Sequence, residues 1–412
     1  MVFMKKIVFT TAVGEKPDYF ARSVRDDSLR YSLPTPSFGL RFLKENIPEI
    51  NILEYPDWIT FEDTLKKGID ILGISFYMTD IPIVIKMVEM ARKHGVKQIW
   101  GGNYGVLNDE VQQYFDRIFV CYAEREIAKE LNHDLVEIKH PAIITSFGLN
   151  KTPFKISHAF LFTTRGCQFK CSFCQTPSFT NGIDYLSLNS IDSILKNYKE
   201  NKVKSVFIMD DNFFANKKFS DEVIDLIQKH KLNWGVCTRA ENLHNRVQEF
   251  KERGMFMCIT GIETLKQENL DKIMKGTTVD LILDTIKELS NNNIYIHGTY
   301  LIGFETDTKE SIKKDMDFIA KLAVQSMQIC VLTPFPHTSL WDDIEKKYGI
   351  FEKDYSKFDA YHLVWNHPNI KPEEMDEILK YARSKCYPPT KIINGFMTVV
   401  KRGMFWKFIS PF

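Results

Sequence analysis

The chain of 412 residues is long enough for two or three domains with sizeable cores. Its hydrophobic share of 44% and charged share of 26% are those of a soluble globular protein. The net charge of +1 excludes the large basic field that proteins use to bind nucleic acids.

Cellular compartment is indicated by the first residues and by the cysteines. Residues 1–7 lead straight into a strand-like segment and contain no apolar stretch of signal-peptide length. The eight cysteines are scattered apart from one cluster, which is typical of a reducing compartment. No run of about 18 apolar residues occurs, so we expect no transmembrane helix. These features predict a cytoplasmic protein.

Residues 1–140 alternate strand-like and helix-like segments with short connections. This pattern predicts an α/β domain with a doubly wound, Rossmann-like parallel sheet, whose ligands bind at the carboxyl ends of the strands. Segment 13–36 is long for so small a unit, and we expect a functional loop there that reaches over the active site. The predicted strands are 5–12, 51–55, 70–78, 97–100 and 117–122, and the predicted helices are 38–46, 61–67, 81–94 and 111–115.

Residues 155–345 repeat the strand–helix alternation six times, after a predicted linker over 141–154. Polar, glycine or proline residues recur where each strand ends, and βα barrels carry their chemistry at that rim. Residues 346–412 are expected to form a small, mainly helical appendage with a helix over 372–386. The predicted strands of the repeats are 159–164, 205–209, 233–237, 256–260, 295–301 and 326–332, and the predicted helices are 190–199, 217–230, 243–253, 279–290 and 311–322.

A cysteine cluster follows the first of these strands, with three thiols in eight residues: Cys167, Cys171 and Cys174. Thiolate sulfur selects zinc or iron–sulfur clusters. Structural zinc and electron-transfer clusters both need a fourth ligand, and the next cysteines, Cys237 and Cys258, lie far along the chain. The motif therefore indicates three ligands and one open position, as in a reactive centre. Arg165 and Lys170 flank the thiols and are expected to favour their ionised form.

Segment 163–175, Thr-Thr-Arg-Gly-Cys-Gln-Phe-Lys-Cys-Ser-Phe-Cys-Gln, resembles the signature of the radical S-adenosylmethionine (SAM) enzymes. The resemblance implies that the three cysteines bind three irons of a [4Fe–4S] cluster and that SAM chelates the fourth iron. Reduction of the cluster then cleaves SAM to a 5′-deoxyadenosyl radical. The six strand–helix units match the partial (β/α)6 barrel of this family.

The same resemblance implies five residues at the SAM site. Phe173 is expected near the adenine, and Asp210 and Asp211 are expected at the amino group. Arg239 suits the carboxylate or the ribose, because its planar guanidinium pairs well with carboxylates. Glu263 is expected to contact a ribose hydroxyl or the amino group. For the two aspartates the alternative is that each caps the helix that follows.

Residues 1–140 resemble the cobalamin-binding domain that precedes many radical SAM barrels. Gly-Gly-Asn-Tyr at 101–104 stands where that subfamily has Gly-Gly-Pro-His. No histidine precedes His94, so no histidine of the first loop can ligate a corrinoid from below. Two alternatives stay open: bound cobalamin, or a cap without cofactor, in which case side chains or substrate fill the space between Gly101 and the cluster. The candidate cobalamin contacts are Ser75, Thr79, Gly101, Gly102 and Tyr104.

Candidate substrate contacts lie after the sixth barrel strand and in the appendage. The alternative is ordinary packing of the appendage on the barrel, which we favour for Trp365. Segment 396–412 mixes aromatic and basic residues, as in a helix at a membrane surface or a terminal helix docked on its own domain, and we favour docking. The candidate substrate contacts are His337, Tyr361, His362 and His367.

The resemblance covers nearly the whole chain and implies a radical SAM enzyme that modifies an unactivated carbon of a small-molecule or lipid-like substrate. Cobalamin-dependent C-methylation is one outcome, and a dehydratase, cyclase or coupling reaction without cobalamin is the other. The electron donor is expected to be a flavodoxin or a ferredoxin. A corrinoid or redox sensor is the alternative outside the enzymes, but it leaves the strand-end residues without a purpose.

Overall fold

The computed structural model describes residues 5–14, 36–148 and 155–386. Most of the predicted loop over 13–36 and the whole of the predicted tail helix over 396–412 lie outside these ranges. Within them, every helix is too short or too polar to cross a bilayer.

The N-terminal part forms a five-stranded parallel sheet with the order β2-β1-β3-β4-β5. This order is that of a doubly wound sheet and confirms the predicted fold class. Helix α2 begins three residues before its predicted start because Asp57 caps it, with its carboxylate accepting from the backbone N–H of Thr60 at 2.7 Å. The elements are β1 (Ile7–Thr11), α1 (Phe38–Asn46), β2 (Ile50–Leu53), α2 (Trp58–Lys66), β3 (Ile71–Ser75), α3 (Ile81–Lys93), β4 (Gln98–Gly102), α4 (Asp109–Gln112), β5 (Arg117–Phe119) and α5 (Glu124–Glu130).

A second sheet has seven strands in the order β14-β13-β12-β11-β10-β7-β6. All neighbours from β7 to β14 pair in parallel, which gives the six parallel strands of the predicted partial barrel. Strands β8 and β9 form a separate two-stranded ribbon. The strands are β6 (Ile144–Gly148), β7 (Lys155–Leu161), β8 (Thr164–Arg165), β9 (Asp184–Tyr185), β10 (Ser205–Ile208), β11 (Asn233–Thr238), β12 (Met255–Glu263), β13 (Tyr295–Ile302) and β14 (Ser326–Val331).

The predicted linker over 141–154 is wrong in part, because Ile144–Gly148 is strand β6 and pairs antiparallel with β7. Ile143, just before it, is fully buried. The added strand covers the backbone edge of β7, which would otherwise leave its N–H and C=O groups unpaired.

Helices cover the outer face of the second sheet, and the last one packs on α12. One continuous hydrophobic cluster runs through both sheets and includes Leu72 of β3 and Trp234 of β11. Sharing one core gives the two sheets a fixed relative position. The helices are α6 (Thr176–Phe179), α7 (Leu188–Glu200), α8 (Lys217–Lys229), α9 (Val247–Glu252), α10 (Gln267–Lys272), α11 (Val279–Asn291), α12 (Lys309–Ile319), α13 (Ser339–Lys347) and α14 (Pro372–Cys386).

Candidate active site

The cysteine loop is held at its start by a buried carboxylate, that of Asp210 at the end of β10. Asp210 accepts hydrogen bonds from the backbone N–H groups of Thr163 and Thr164, at 2.6 and 2.9 Å, and from both threonine hydroxyls. Burial raises the pKa of Asp210 to about 7, against these hydrogen bonds, which favour the charged form. Both carboxylate oxygens are therefore engaged in fixing the loop, and contact of Asp210 with SAM stays a prediction.

Asp211, the next residue, is exposed and faces the same loop. Its Oδ2 accepts from the backbone N–H of Gly166 at 2.8 Å and from the Tyr122 hydroxyl at 2.9 Å. Neither aspartate caps a helix, since Asn216 caps α8. Asp211 thus lies beside the cysteine loop, where the predicted contact with the SAM amino group requires it.

The three thiols of the loop are half-buried. Burial raises the pKa of Cys167 and that of Cys174, and the neighbouring thiols raise both further. The expected activation by Arg165 is therefore wrong, and that by Lys170 stays a prediction. The Arg165 side chain turns away from the thiols into a buried ion pair, and Lys170 is exposed to solvent.

The three thiols have the chemistry of iron–sulfur cluster ligands. In the described part of the chain, no three His, Cys, Asp or Glu side chains are grouped closely enough to hold one ion. A single zinc, with Zn–S bonds of about 2.3 Å, needs its sulfurs within about 4 Å of each other. A cluster spreads its thiolate ligands over different irons, and three soft ligands from one loop suit it. The zinc alternative with Cys237 or Cys258 gains no support, and Cys258 is fully buried in β12.

Arg239, just after β11, reaches the cysteine loop. Its guanidinium lies 3.8 Å from the centroid of the Phe169 ring, and its Nη1 lies 3.5 Å from the Cys171 sulfur. The same guanidinium donates to the Glu241 carboxylate and to the Lys275 carbonyl. A fixed positive charge therefore stands next to the thiols, where a carboxylate could pair with it.

Glu263 ends β12 in a left-handed conformation, with φ of 61°, and is buried. It forms an ion pair with the buried Lys275, with 2.6 Å between Oε1 and Nζ. A Cβ on Gly261 would collide with the Glu263 carboxylate, so this glycine makes room for the ion pair. Phe173 is half-buried and packs against the core. Contacts of Glu263 and Phe173 with SAM stay predictions.

The candidate cobalamin contacts lie at the carboxyl edge of the first sheet, as expected. Tyr104 stacks on Phe179 of α6, with ring centroids 4.1 Å apart, and lies nearly parallel to Tyr77 at 6.2 Å. The Ser75 hydroxyl accepts from the Asn103 amide at 3.3 Å. The remaining three candidates, all on the same edge, are Thr79, in a 3-10 turn, and Gly101 and Gly102, at the end of β4.

Three side chains from this edge reach the barrel, and the sequence did not indicate their partners. Glu124 makes two hydrogen bonds of 2.9 Å with Arg165, and both side chains are almost fully buried. Tyr122 donates to Asp211 as described, and the Tyr104 hydroxyl lies 3.2 Å from that of Thr176. The first sheet is therefore attached directly to the cysteine loop and its surroundings.

Among the candidate substrate contacts, His337 lines a cavity of about 350 Å³ between the two sheets and the appendage. Its Nε2 lies 3.2 Å from Asp109. The cavity is polar and its wall includes Glu110 and Asp342. A role of His337 in substrate binding stays a prediction.

The other three candidates lie in the appendage. His362 is paired with Asp359 at 3.0 Å, and the Arg383 guanidinium lies over the Tyr361 ring at 5.6 Å. His367 bonds to the Phe304 carbonyl through Nε2, at 2.8 Å, so it joins the appendage to the barrel rim. Trp365 is fully buried, which confirms the packing interpretation.

The fold and the cysteine loop define a class, and comparison with known proteins agrees with it. Residues 161–319 match the family model described as the Radical SAM superfamily. This part of the chain is therefore similar to the radical SAM domain, and that domain implies a [4Fe–4S] cluster and SAM.

Among curated proteins, the chain is 25% identical to an uncharacterised methyltransferase of Pyrococcus horikoshii, over 59% of this chain and 55% of that protein. It is 27% identical to the bacteriochlorophyllide d C-8(2)-methyltransferase of Chlorobaculum tepidum, over 55% of this chain and 52% of that protein. It is 24% identical to the bacteriochlorophyllide d C-12(1)-methyltransferase of the same organism, over 81% of this chain and 78% of that protein. The first two alignments thus span about half of each relative.

Two solved structures share the two-sheet architecture. The methyltransferase TsrM from Kitasatospora setae, with cobalamin and a [4Fe–4S] cluster bound, matches with a TM-score of 0.62 at 13% identity, over 84% of this chain and 78% of that one. The radical enzyme OxsB, with aqua-cobalamin and SAM bound, matches with a TM-score of 0.59 at 13% identity, over 98% and 72%. At such identity the likeness establishes the fold of this chain.

Proposed function

We propose that this chain is a radical SAM enzyme that cleaves SAM reductively and modifies an unactivated carbon of a small-molecule or lipid-like substrate. The observation that carries this proposal is that one loop bears three thiols and that Arg239 lies against one of them, that of Cys171. When bound, the cluster and SAM would supply a 5′-deoxyadenosyl radical, which abstracts a hydrogen atom from the substrate.

Different residues of the chain are assigned to binding the cluster, binding SAM and positioning the cysteine loop. The three cysteines hold the cluster, and Arg239 and Asp211 bind the carboxylate and amino groups of SAM. Asp210 fixes the start of the cysteine loop. A flavodoxin or ferredoxin supplies the electron. The names of two of the relatives support a substrate built on an extended ring system, since a bacteriochlorophyllide is of that kind.

An anaerobic preparation with a reconstituted cluster tests this function. We expect the ultraviolet–visible bands of an iron–sulfur cluster, and we expect added SAM and a low-potential reductant to yield 5′-deoxyadenosine. Zinc in place of iron in the purified protein, or a reduced cluster that leaves SAM intact, would contradict the proposal.

Replacing Arg239 by alanine is expected to weaken SAM binding roughly ten- to a hundredfold, because a charge-assisted hydrogen bond contributes about 1.5–3 kcal/mol. The cluster spectrum should persist, since Arg239 is not a thiolate ligand. Equilibrium binding of SAM to the reconstituted protein measures the effect. Arg117→Ala is the matched control, because this arginine lies on the first sheet and pairs with Glu130 at the surface. Equal SAM affinity in both variants would remove Arg239 from the site.

A further inference from the structure

Among the described residues, aromatic rings cover the end of β4 on the edge of the first sheet that would face a corrinoid. Tyr104, from the turn after β4, stacks on Phe179, which comes five residues after Cys174. Their ring centroids are 4.1 Å apart and their planes are inclined by 23°. A planar cofactor between two rings needs about 7 Å between them, since each contact takes about 3.5 Å. No layer of that thickness fits between Tyr104 and Phe179.

One of the two glycines at the end of β4 also has a packing explanation. A Cβ on Gly101 would lie 3.0 Å from the Phe115 ring, so a side chain there would press on the core of the first sheet. At Gly102 the nearest atom to such a Cβ is a backbone oxygen at 3.8 Å, which is an ordinary van der Waals distance, so no neighbour would collide with a side chain there. Packing therefore accounts for Gly101 without a ligand, while Gly102 has room beside it.

Three hydrogen-bonding side chains of the same edge are committed to the barrel. Tyr104 contacts Thr176, and Glu124 holds Arg165 in a bidentate, buried pair. Tyr122 donates to Asp211 and lies under the Arg165 guanidinium at 4.6 Å. These contacts end within, or next to, the segment that carries the cysteines.

We propose that the N-terminal domain of this chain binds no corrinoid and acts as a clamp that positions the cysteine loop. This inference rests on the proposed radical SAM function and chooses between its two outcomes. Without a corrinoid the domain offers no methyl–cobalt donor, so cobalamin-dependent methylation is excluded. The chain differs in this respect from the cobalamin-containing structures that share its fold.

Corrinoid retention tests the first half of the proposal. The full chain with a reconstituted cluster is incubated with hydroxocobalamin, desalted, and assayed for corrinoid by absorbance. We expect less than about a tenth of an equivalent to be retained, while the cluster remains and SAM is still cleaved. Retention of about one equivalent per chain overturns the proposal. Loss of SAM cleavage would instead count against the proposed function, so the two failures are distinguishable.

Tyr104 variants test the clamp. In Tyr104→Ala we expect the cluster to be lost to a chelator roughly two- to tenfold faster, which is the contribution of one aromatic pair. Tyr104→Phe keeps the ring on Phe179 and should stay near the wild type. Tyr77→Ala, which removes only the half-exposed outer ring, should also have a small effect. Equal cluster lifetimes in Tyr104→Ala and the wild type would contradict the clamp.

Discussion

Alanine at any one of Cys167, Cys171 or Cys174 is expected to abolish formation of 5′-deoxyadenosine from SAM. Each thiolate holds a different iron in the proposed site, so none of the three ligands is redundant. Loss of the hydrogen bond behind a metal ligand alone costs 10- to 100-fold in affinity or activity, so loss of a ligand should cost more than about a hundredfold. Iron content, the cluster spectrum and 5′-deoxyadenosine yield measure the effect.

Cys258→Ala is the matched control for these variants. Cys258 is fully buried in β12, outside the cysteine loop, and burial raises the pKa of its thiol, so it behaves as a small apolar side chain. We expect this variant to keep its iron and its SAM cleavage, with only a loss of packing. Full cleavage in a variant of the cysteine loop, or loss of iron in Cys258→Ala, would contradict the assignment.

Elements with strong local signals were predicted well. Helices α1 and α14 have the bounds that the sequence indicated, because proline precedes or starts each of them and an apolar face repeats along it. Strand β6 was missed, because a five-residue edge strand is defined by its partner β7 and carries little pattern of its own. The predicted start of α2 is three residues late, because the prediction did not take Asp57 as the N-cap of this helix.

In the candidate site, too, the features with a local sequence signal are predictable and those that depend on distant partners are not. The cysteine loop is predictable because its three thiols are neighbours in the sequence, and Arg239 and Asp211 follow from the rule that strand ends share one edge. Which distant side chain each of these residues pairs with is not predictable in this way. Glu124 and Arg165 are 41 residues apart, and nothing local indicates that Arg165 turns toward the first sheet and away from the thiols.

Breaking the Glu124–Arg165 pair is expected to destabilise the protein strongly. In Glu124→Ala the Arg165 guanidinium stays buried without its carboxylate, which typically costs about 3–5 kcal/mol in free energy of unfolding. The rings of Phe42 and Tyr122, with centroids 4.3 and 4.6 Å from the guanidinium carbon, remain and offset a part of this loss. Urea unfolding followed by circular dichroism measures the change.

Two further variants separate the effect of the unpaired charge on Arg165 from a general loss of contacts. A double variant, Glu124→Leu with Arg165→Met, removes both charges and should recover most of the stability, because apolar replacements of a buried ion pair are often neutral. Glu130→Ala breaks the surface pair with Arg117 and should cost less than about 1 kcal/mol. Since Arg165 stands two residues before Cys167, cluster content should fall in Glu124→Ala and not in Glu130→Ala. If Glu124→Ala were no less stable than Glu130→Ala, the buried pair would not be what attaches the first sheet to the cysteine loop.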